Sequence, residues 1–326
     1  MADKPSRALV LIGDGHASCV SPSYANLHAF ASRASCGFLS LRTPIPSESE
    51  NDRVIRELAQ LLDAYDFYVN KHGNHGNVNT DVKKEELVCP TISERFMGLR
   101  AAFITNCTDS VSFARNLGLN VLQLHEIVRQ NESSELLPEV SDAVISKLLL
   151  LLGFSGGDVL EKYDFDLVFL HVRFTEKSKD QKEKTFINSD VEWLDKLVGG
   201  IMQTVHPGSL VASRLHFSIL LSYGIVSKND ENCTLVLNSS TETNSDLSLL
   251  RPRQSYTMKG GSILKDIRHH HPILVAQLQE GVTRRDMVTK FSFEEFKKDG
   301  ANLTILADRF LHEVAFKLWK APKYGA

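Results

Sequence analysis

A short apolar run near the start of the sequence constrains the fold more than any other stretch. Residues 8–12 are all apolar, and they lead directly into Gly13-Asp14-Gly15. Such a run, without alternation, is typical of a strand that is buried on both faces within a parallel sheet. The flanking glycines allow a sharp turn at the carboxyl end of that strand, where open α/β sheets place their ligands. Asp14 is therefore predicted either to hold a metal ion or to cap the turn.

Strand-like and helix-like segments alternate along the rest of the chain. Strands are predicted over 38–41, 101–105, 120–124, 167–172, 217–222, 234–237 and 273–278, with an edge strand over 67–69. Apolar residues recur at helical spacing between them, notably in 54–65, 141–152 and 190–205. Strands separated by helices of this size predict an α/β fold, with a mostly parallel sheet covered by helices on both faces.

The composition matches that of a soluble globular protein and narrows the classes of partner. Of the 326 residues, 42% are hydrophobic and 24% are charged, and the formal net charge is -3. This charge gives no reason to expect nucleic acid as a partner, and no apolar run is long enough to span a membrane. The five cysteines show no paired spacing and no signal-peptide pattern precedes the first strand, so we expect reduced thiols and a cytoplasmic location.

Eight short motifs are spread along most of the chain. They comprise residues 11–15, 25–31, 90–96, 99–104, 170–173, 285–286, 291–295 and 323–326. In this order they resemble the cofactor-independent phosphoglycerate mutases, chiefly the archaeal-type branch, within the alkaline phosphatase superfamily. The resemblance implies an alkaline-phosphatase-like core in a single domain over 1–326. It also implies interconversion of 3- and 2-phosphoglycerate through a phosphoserine.

The resemblance, carried over residue by residue, suggests a candidate site. Such enzymes use two divalent ions that bind the phosphate oxygens and activate a serine. Asp14 matches the first metal ligand, and Ser47 is the candidate nucleophile, although a serine there could instead belong to the cap of the following helix. Asp266 and His269 fall near the position of a late metal-binding histidine. The implied cofactor is Mn or Mg, with Zn as an alternative, and the implied partner is a small phosphorylated metabolite.

The sequence departs from the family at three places. The family has an aspartate and a histidine after the strand that ends near residue 173, but 174–180 contains no histidine. Asn238-Ser239-Ser240 stands where the family has Asp-His, and neutral hydroxyls are poor metal ligands. The family's inserted second domain is reduced to a segment around 52–89. Three hypotheses follow: a metal-dependent mutase, a catalytically silent binding or scaffold protein with the same fold, and a single-metal phosphohydrolase.

Overall fold

The computed structural model describes residues 7–45, 48–72, 89–129, 140–173, 190–226, 245–250, 256–300 and 303–322. Its strands are β1 (Arg7–Asp14), β2 (Ser35–Ser40), β3 (Ala101–Thr105), β4 (Asn120–Gln123), β5 (Phe154–Ser155), β6 (Asp158–Val159), β7 (Leu167–Arg173), β8 (Leu215–Leu221), β9 (Met258–Lys259), β10 (Ser262–Ile263), β11 (Ile273–Leu278) and β12 (Leu303–Leu306). An eight-stranded sheet has the order β12-β2-β11-β8-β1-β7-β3-β4, and β5-β6 and β9-β10 form two small hairpins.

The large sheet is parallel except at one strand. β1 pairs in parallel with both β7 and β8, and the outer pairs β7-β3, β3-β4 and β2-β12 are parallel as well. Only β11 runs against its neighbours β2 and β8. Because of this reversal, the start of β11 lies at the same edge of the sheet as the carboxyl ends of the parallel strands.

The central strand β1 separates two apolar layers. All eight of its residues are buried. Because side chains alternate along a strand, Leu9 and Leu11 pack in one layer while Ala8, Val10 and Ile12 pack in the other. The apolar run in the sequence thus reflects burial on both faces, as predicted.

Helices cover both faces of the sheet, and the predicted α/β class is confirmed. They are α1 (Ala25–Ala31), α2 (Glu50–Leu61), α3 (Tyr65–His72), α4 (Ile92–Arg95), α5 (Thr108–Asn116), α6 (Leu124–Arg129), α7 (Val140–Leu151), α8 (Asp190–Thr204), α9 (Leu210–Arg214), α10 (Phe293–Lys298) and α11 (Phe310–Lys317). Buried residues of α1 and of α6 to α10 belong to the Leu9 layer, and those of α2, α4, α5 and α11 belong to the other layer. None of these described helices is long and apolar enough to cross a membrane.

Three sequence-based predictions have different outcomes in the structure. The edge strand predicted over 67–69 is wrong, because this segment lies within helix α3, where Tyr65 and Tyr68 stack with their ring centroids 6.4 Å apart. This spacing of three residues brings side chains together on a helix and not on a strand. The strand predicted over 234–237 lies outside the described residues. The single domain over 1–326 stays a prediction; of the segment around 52–89, the described part contains most of α2 and all of α3.

A polar cluster lies between the sheet and α11. His216 on β8 is fully buried, and its Nε2 atom lies 3.2 Å from the Ser218 hydroxyl. Gln277 on β11 donates to the same hydroxyl at 3.4 Å, and the Lys317 ammonium donates to Gln277 at 3.1 Å. Burial, assisted by the charge of Lys317, lowers the pKa of His216 well below its usual range. His216 is therefore neutral in the folded protein at neutral pH.

We predict that stability falls as the pH drops below about 6.5, the pKa of an unfolded-state histidine. The pKa of His216 is depressed in the folded protein, so below about pH 6.5 the unfolded chain takes up a proton that the folded protein does not. The free energy of unfolding is therefore highest above that pH and decreases as the pH falls. In this pH range His216 alone changes the free energy of unfolding by about 1.4 kcal/mol per pH unit. Urea unfolding of wild type and His216→Gln at several pH values measures the difference in slope. His206→Gln, which alters an exposed histidine, is the matched control; equal slopes for all three proteins would contradict the prediction.

Candidate functional site

Asp14 occupies the carboxyl end of β1, and both of its carboxylate oxygens have protein partners. The Ser222 hydroxyl donates to Oδ1 at 2.9 Å, and the Arg53 guanidinium donates to Oδ2 at 2.9 Å. Ser222 directly follows β8, the neighbouring strand, and its hydroxyl also accepts the Gly15 amide at 3.1 Å. Gly15 has a φ of 82°, a left-handed conformation that glycine adopts without strain. The turn that the two glycines predicted therefore places a buried carboxylate at this edge.

Arg53 is surrounded by three carboxylates. In addition to Asp14, it donates to Glu50 at 2.6 and 2.8 Å and to Glu57 at 2.9 Å. Glu50 and Glu57 lie three residues before and four residues after Arg53 on α2, which is the spacing that brings helical side chains together. Burial alone would lower the pKa of Arg53, but the carboxylates outweigh this effect and raise it. Arg53 is thus a permanent buried cation, and all three of its guanidinium nitrogens are engaged.

The first turn of α2 holds Arg53 in position. Ser49 is the N-cap, and its hydroxyl accepts the Asp52 amide at 3.2 Å. Glu50 and Asp52 place negative charge in the first turn, where the helix dipole favours it. The predicted nucleophile Ser47 precedes this cap and lies outside the described residues.

The ion pairs continue from Arg53 to the segment before β11. A second oxygen of Glu57 lies 3.5 Å from the buried Arg268 guanidinium, which also donates to the His271 carbonyl at 2.7 Å. Burial, with further contributions from neighbouring arginines, lowers the pKa of Arg268 to about 10 although Glu57 opposes the shift. We call Asp14, Arg53, Glu50, Glu57 and Arg268 the edge network. It joins β1, α2 and the entry to β11 at one edge of the sheet.

His171 on β7 adds an imidazole beside Asp14. Its Nε2 atom lies 4.0 Å from Asp14 Oδ2, and its Nδ1 atom lies 2.9 Å from the Thr105 hydroxyl. Burial lowers the pKa of His171 to about 4 even though Asp14 opposes the shift, so the imidazole is neutral at neutral pH. Asp14, Glu57, His171 and Ser222 line a cavity of about 10 Å³, which has room for roughly one water molecule.

The predicted ligands Asp266 and His269 have partners of their own. Both precede β11 and so lie towards the same edge as Asp14. The half-exposed Asp266 carboxylate pairs with Arg42 at 2.8 Å. The His269 imidazole lies 3.3 Å from the Tyr256 hydroxyl. Neither side chain shows a hydrogen bond or ion pair with Asp14, so the shared metal site stays a prediction.

The residues around Asp14 do not fit a divalent ion in the arrangement described. The two ions of the resembled enzymes need several anionic or imidazole ligands each. Here a guanidinium already lies among the three carboxylates and accounts for one Asp14 oxygen, while a hydroxyl accounts for the other. Within the described residues, no group of three or more His, Cys, Asp or Glu side chains is arranged to hold a metal ion.

Sequence reasoning missed Arg53 and Ser222. Ser222 is the last residue of the strand predicted over 217–222, so its place at the carboxyl edge could have been inferred. His171 was noted only as part of a motif in a strand. Arg53 carried no comparable signal, because a charged residue on an amphipathic helix is expected to face solvent.

Comparison with known proteins supports the fold and leaves the activity open. No family model matches the chain, and no curated protein matches it. The structure is similar to that of the PH0037 protein from Pyrococcus horikoshii, with a TM-score of 0.55 and 14% identity over 100% of both chains. At this identity the likeness shows a shared fold alone.

Two further solved structures have lower scores. A cofactor-independent phosphoglycerate mutase from Thermoplasma acidophilum has a TM-score of 0.34 and 10% identity, over 70% of this chain and 38% of that one. A protein in the alkaline phosphatase superfamily from Vibrio parahaemolyticus has a TM-score of 0.43 and 10% identity, over 97% and 67%. Scores this low establish neither a shared fold nor a shared activity.

We predict that Arg53→Met lowers the free energy of unfolding by about 3–5 kcal/mol, the usual cost of leaving buried charges uncompensated. The variant removes the cation and leaves Asp14 and Glu57 buried near each other. Lys196→Met is the control, because Lys196 forms an exposed pair with Glu192 whose loss should cost less than about 1 kcal/mol. Urea unfolding at neutral pH measures both; equal, small losses would show that the edge network does not stabilise the fold.

Proposed function

We propose that this chain is a divergent relative of the cofactor-independent phosphoglycerate mutases that binds a ligand without interconverting phosphoglycerates. The single observation that carries this proposal is the contact of the Arg53 guanidinium with Asp14, Glu50 and Glu57. Arg53 places a fixed organic cation beside the one motif residue that best matches a metal ligand. The kinship itself depends on the order of the sequence motifs, and the α/β fold is consistent with it.

A guanidinium cannot perform the chemistry of a divalent ion. A metal ion offers open coordination positions to phosphate oxygens and lowers the pKa of a bound hydroxyl. Arg53 stays protonated and binds through hydrogen-bond donors alone. Each of its nitrogens already donates to a carboxylate, so Arg53 is not available to a phosphoryl group. A serine near this edge would therefore lack the activation that phosphoserine chemistry needs.

The bound partner that we propose is a small phosphorylated metabolite, in keeping with the resemblance. The other two predicted ligands also favour binding over catalysis, because the Asp266 carboxylate pairs with Arg42 and His269 lies beside Tyr256. A single-metal phosphohydrolase would need both of them to turn from these partners towards Asp14. A mutase would in addition need a clamp that holds the glycerate after its phosphoryl group moves to the serine and until that group returns.

We predict that the purified chain, assayed with 3-phosphoglycerate and excess Mn²⁺ or Mg²⁺, turns over far more slowly than the ~10 per second typical of enzymes. Release of inorganic phosphate in the same assay tests the phosphohydrolase alternative. Asp14→Asn is the matched variant, since it removes the candidate ligand with little change of shape. Any background turnover should be the same in this variant. Turnover near ~10 per second that disappears in Asp14→Asn would instead establish an active metal enzyme.

A further inference from the structure

A second site of interest is a cleft at the sheet edge opposite Asp14. It opens between the start of β8, the end of β11, the last turn of α8 and the loop that follows α1. Its floor is apolar and includes Met202, Val205, Leu215, Phe217 and Leu278. The enclosed space is about 40 Å³, within about 460 Å³ that includes the open mouth. The cleft lies at the far ends of the strands, and it shares no lining residue with the cavity beside Asp14.

Gln279 supplies a buried hydrogen-bond acceptor that no protein donor satisfies. Its side chain lines the cleft and is only 1% exposed. The Nε2 atom donates weakly to the Ser213 carbonyl at 3.4 Å, while the Oε1 atom has no hydrogen-bond partner. Leaving a buried carbonyl oxygen without a hydrogen bond costs free energy. A hydrogen-bond donor on a bound ligand or a water molecule would remove this cost.

The turn after β11 holds Gln279 in this orientation. The Thr283 hydroxyl accepts a hydrogen bond from the backbone N–H of Gln279 at 2.8 Å and donates one to the backbone carbonyl of Gln279 at 3.0 Å. Gly281 has a φ of 71°, which lets the chain reverse between them. The backbone of Gln279 is thus fixed on both sides, and its side chain amide is directed into a rigid site.

Two arginines give the mouth of the cleft a positive charge. Arg33 and Arg285 both line it, and burial together with the charge of Arg285 lowers the pKa of Arg33, although the carboxylate of Glu280 opposes the shift. No carboxylate of the described residues forms an ion pair with either guanidinium within 4.0 Å. Glu280 also lines the cleft, but both of its carboxylate oxygens accept the Gly208 amide at 2.9 Å. The titratable groups lining the cleft therefore carry two positive charges and one negative charge.

We propose that this cleft binds a small amphipathic anion, whose short apolar body rests on the floor and whose carboxylate or phosphate contacts Arg33 and Arg285. Among the described residues, no carboxylate lies within salt-bridge distance of either guanidinium, although both line one cleft, so a shared anion would relieve their mutual repulsion. A hydroxyl or N–H group on the apolar body would pair with Gln279 Oε1. The modest enclosed volume limits the body to a few carbon atoms.

Calorimetric titration with simple probes tests the proposal. Hexanoate and hexyl phosphate carry the two head groups on alkyl bodies that differ by one carbon atom, and the tighter of the two identifies the class of head. Inorganic phosphate lacks the body, and hexylammonium reverses the charge. We expect the matching anion to bind measurably at about 1 mM, inorganic phosphate at least about tenfold more weakly, and hexylammonium not at all.

Charge reversal at the mouth provides the decisive comparison. Arg285→Glu changes an exposed residue and should weaken anion binding about tenfold or more while allowing hexylammonium to bind. Arg115→Glu, at an exposed position on α5, makes the same change of net charge away from the cleft and should have no effect. Equal binding by hexanoate and hexylammonium, equal effects of the two variants, or no anion binding at about 1 mM would each overturn the proposal. In the last case the cleft would hold only water.

Discussion

The contact between Arg53 and three carboxylates is the interaction on which this edge of the molecule depends. Asp14, Glu50 and Glu57 all lie within 3 Å of the Arg53 guanidinium nitrogens. Three carboxylates this close, two of them buried, would repel one another strongly without a cation between them. A buried arginine would be equally costly without anions. The carboxylates therefore stabilise the buried arginine, and the arginine in turn stabilises the carboxylates.

The edge network also determines how the elements meet. Asp14 belongs to β1 and Glu57 to α2, while Arg268 precedes β11, so the ion pairs connect the central strand to a covering helix and to the start of β11. The same edge of an open α/β sheet is where ligands ordinarily bind. The chain thus fills with its own charged side chains the region where ligands of such sheets ordinarily bind.

The sequence predicted the position of Asp14 but not the side chains that contact it. The uninterrupted apolar run of β1 and the two glycines correctly placed Asp14 at a turn on the carboxyl edge, because burial on both faces and positive φ leave clear marks in a sequence. Arg53 could not be found in this way. An amphipathic pattern assigns charged residues to solvent, and only the fold shows that Arg53 reaches Asp14, 39 positions earlier. The resemblance to a metal enzyme predicts metal ligands at this edge and gives no sign of a cation supplied by the chain.

Titration of Mn²⁺ into the wild-type protein and into Arg53→Met, followed by calorimetry and thermal unfolding, tests the central claim most directly. We expect wild type to show neither saturable Mn²⁺ binding nor a change in its unfolding midpoint, because Arg53 already neutralises the carboxylates. Removal of the guanidinium leaves Asp14, Glu50 and Glu57 as hard oxygen ligands, so Mn²⁺ should bind the variant and recover part of its lost stability. Adding Asp14→Asn should abolish that recovery. Stoichiometric Mn²⁺ binding by wild type that disappears in Asp14→Asn would contradict the account.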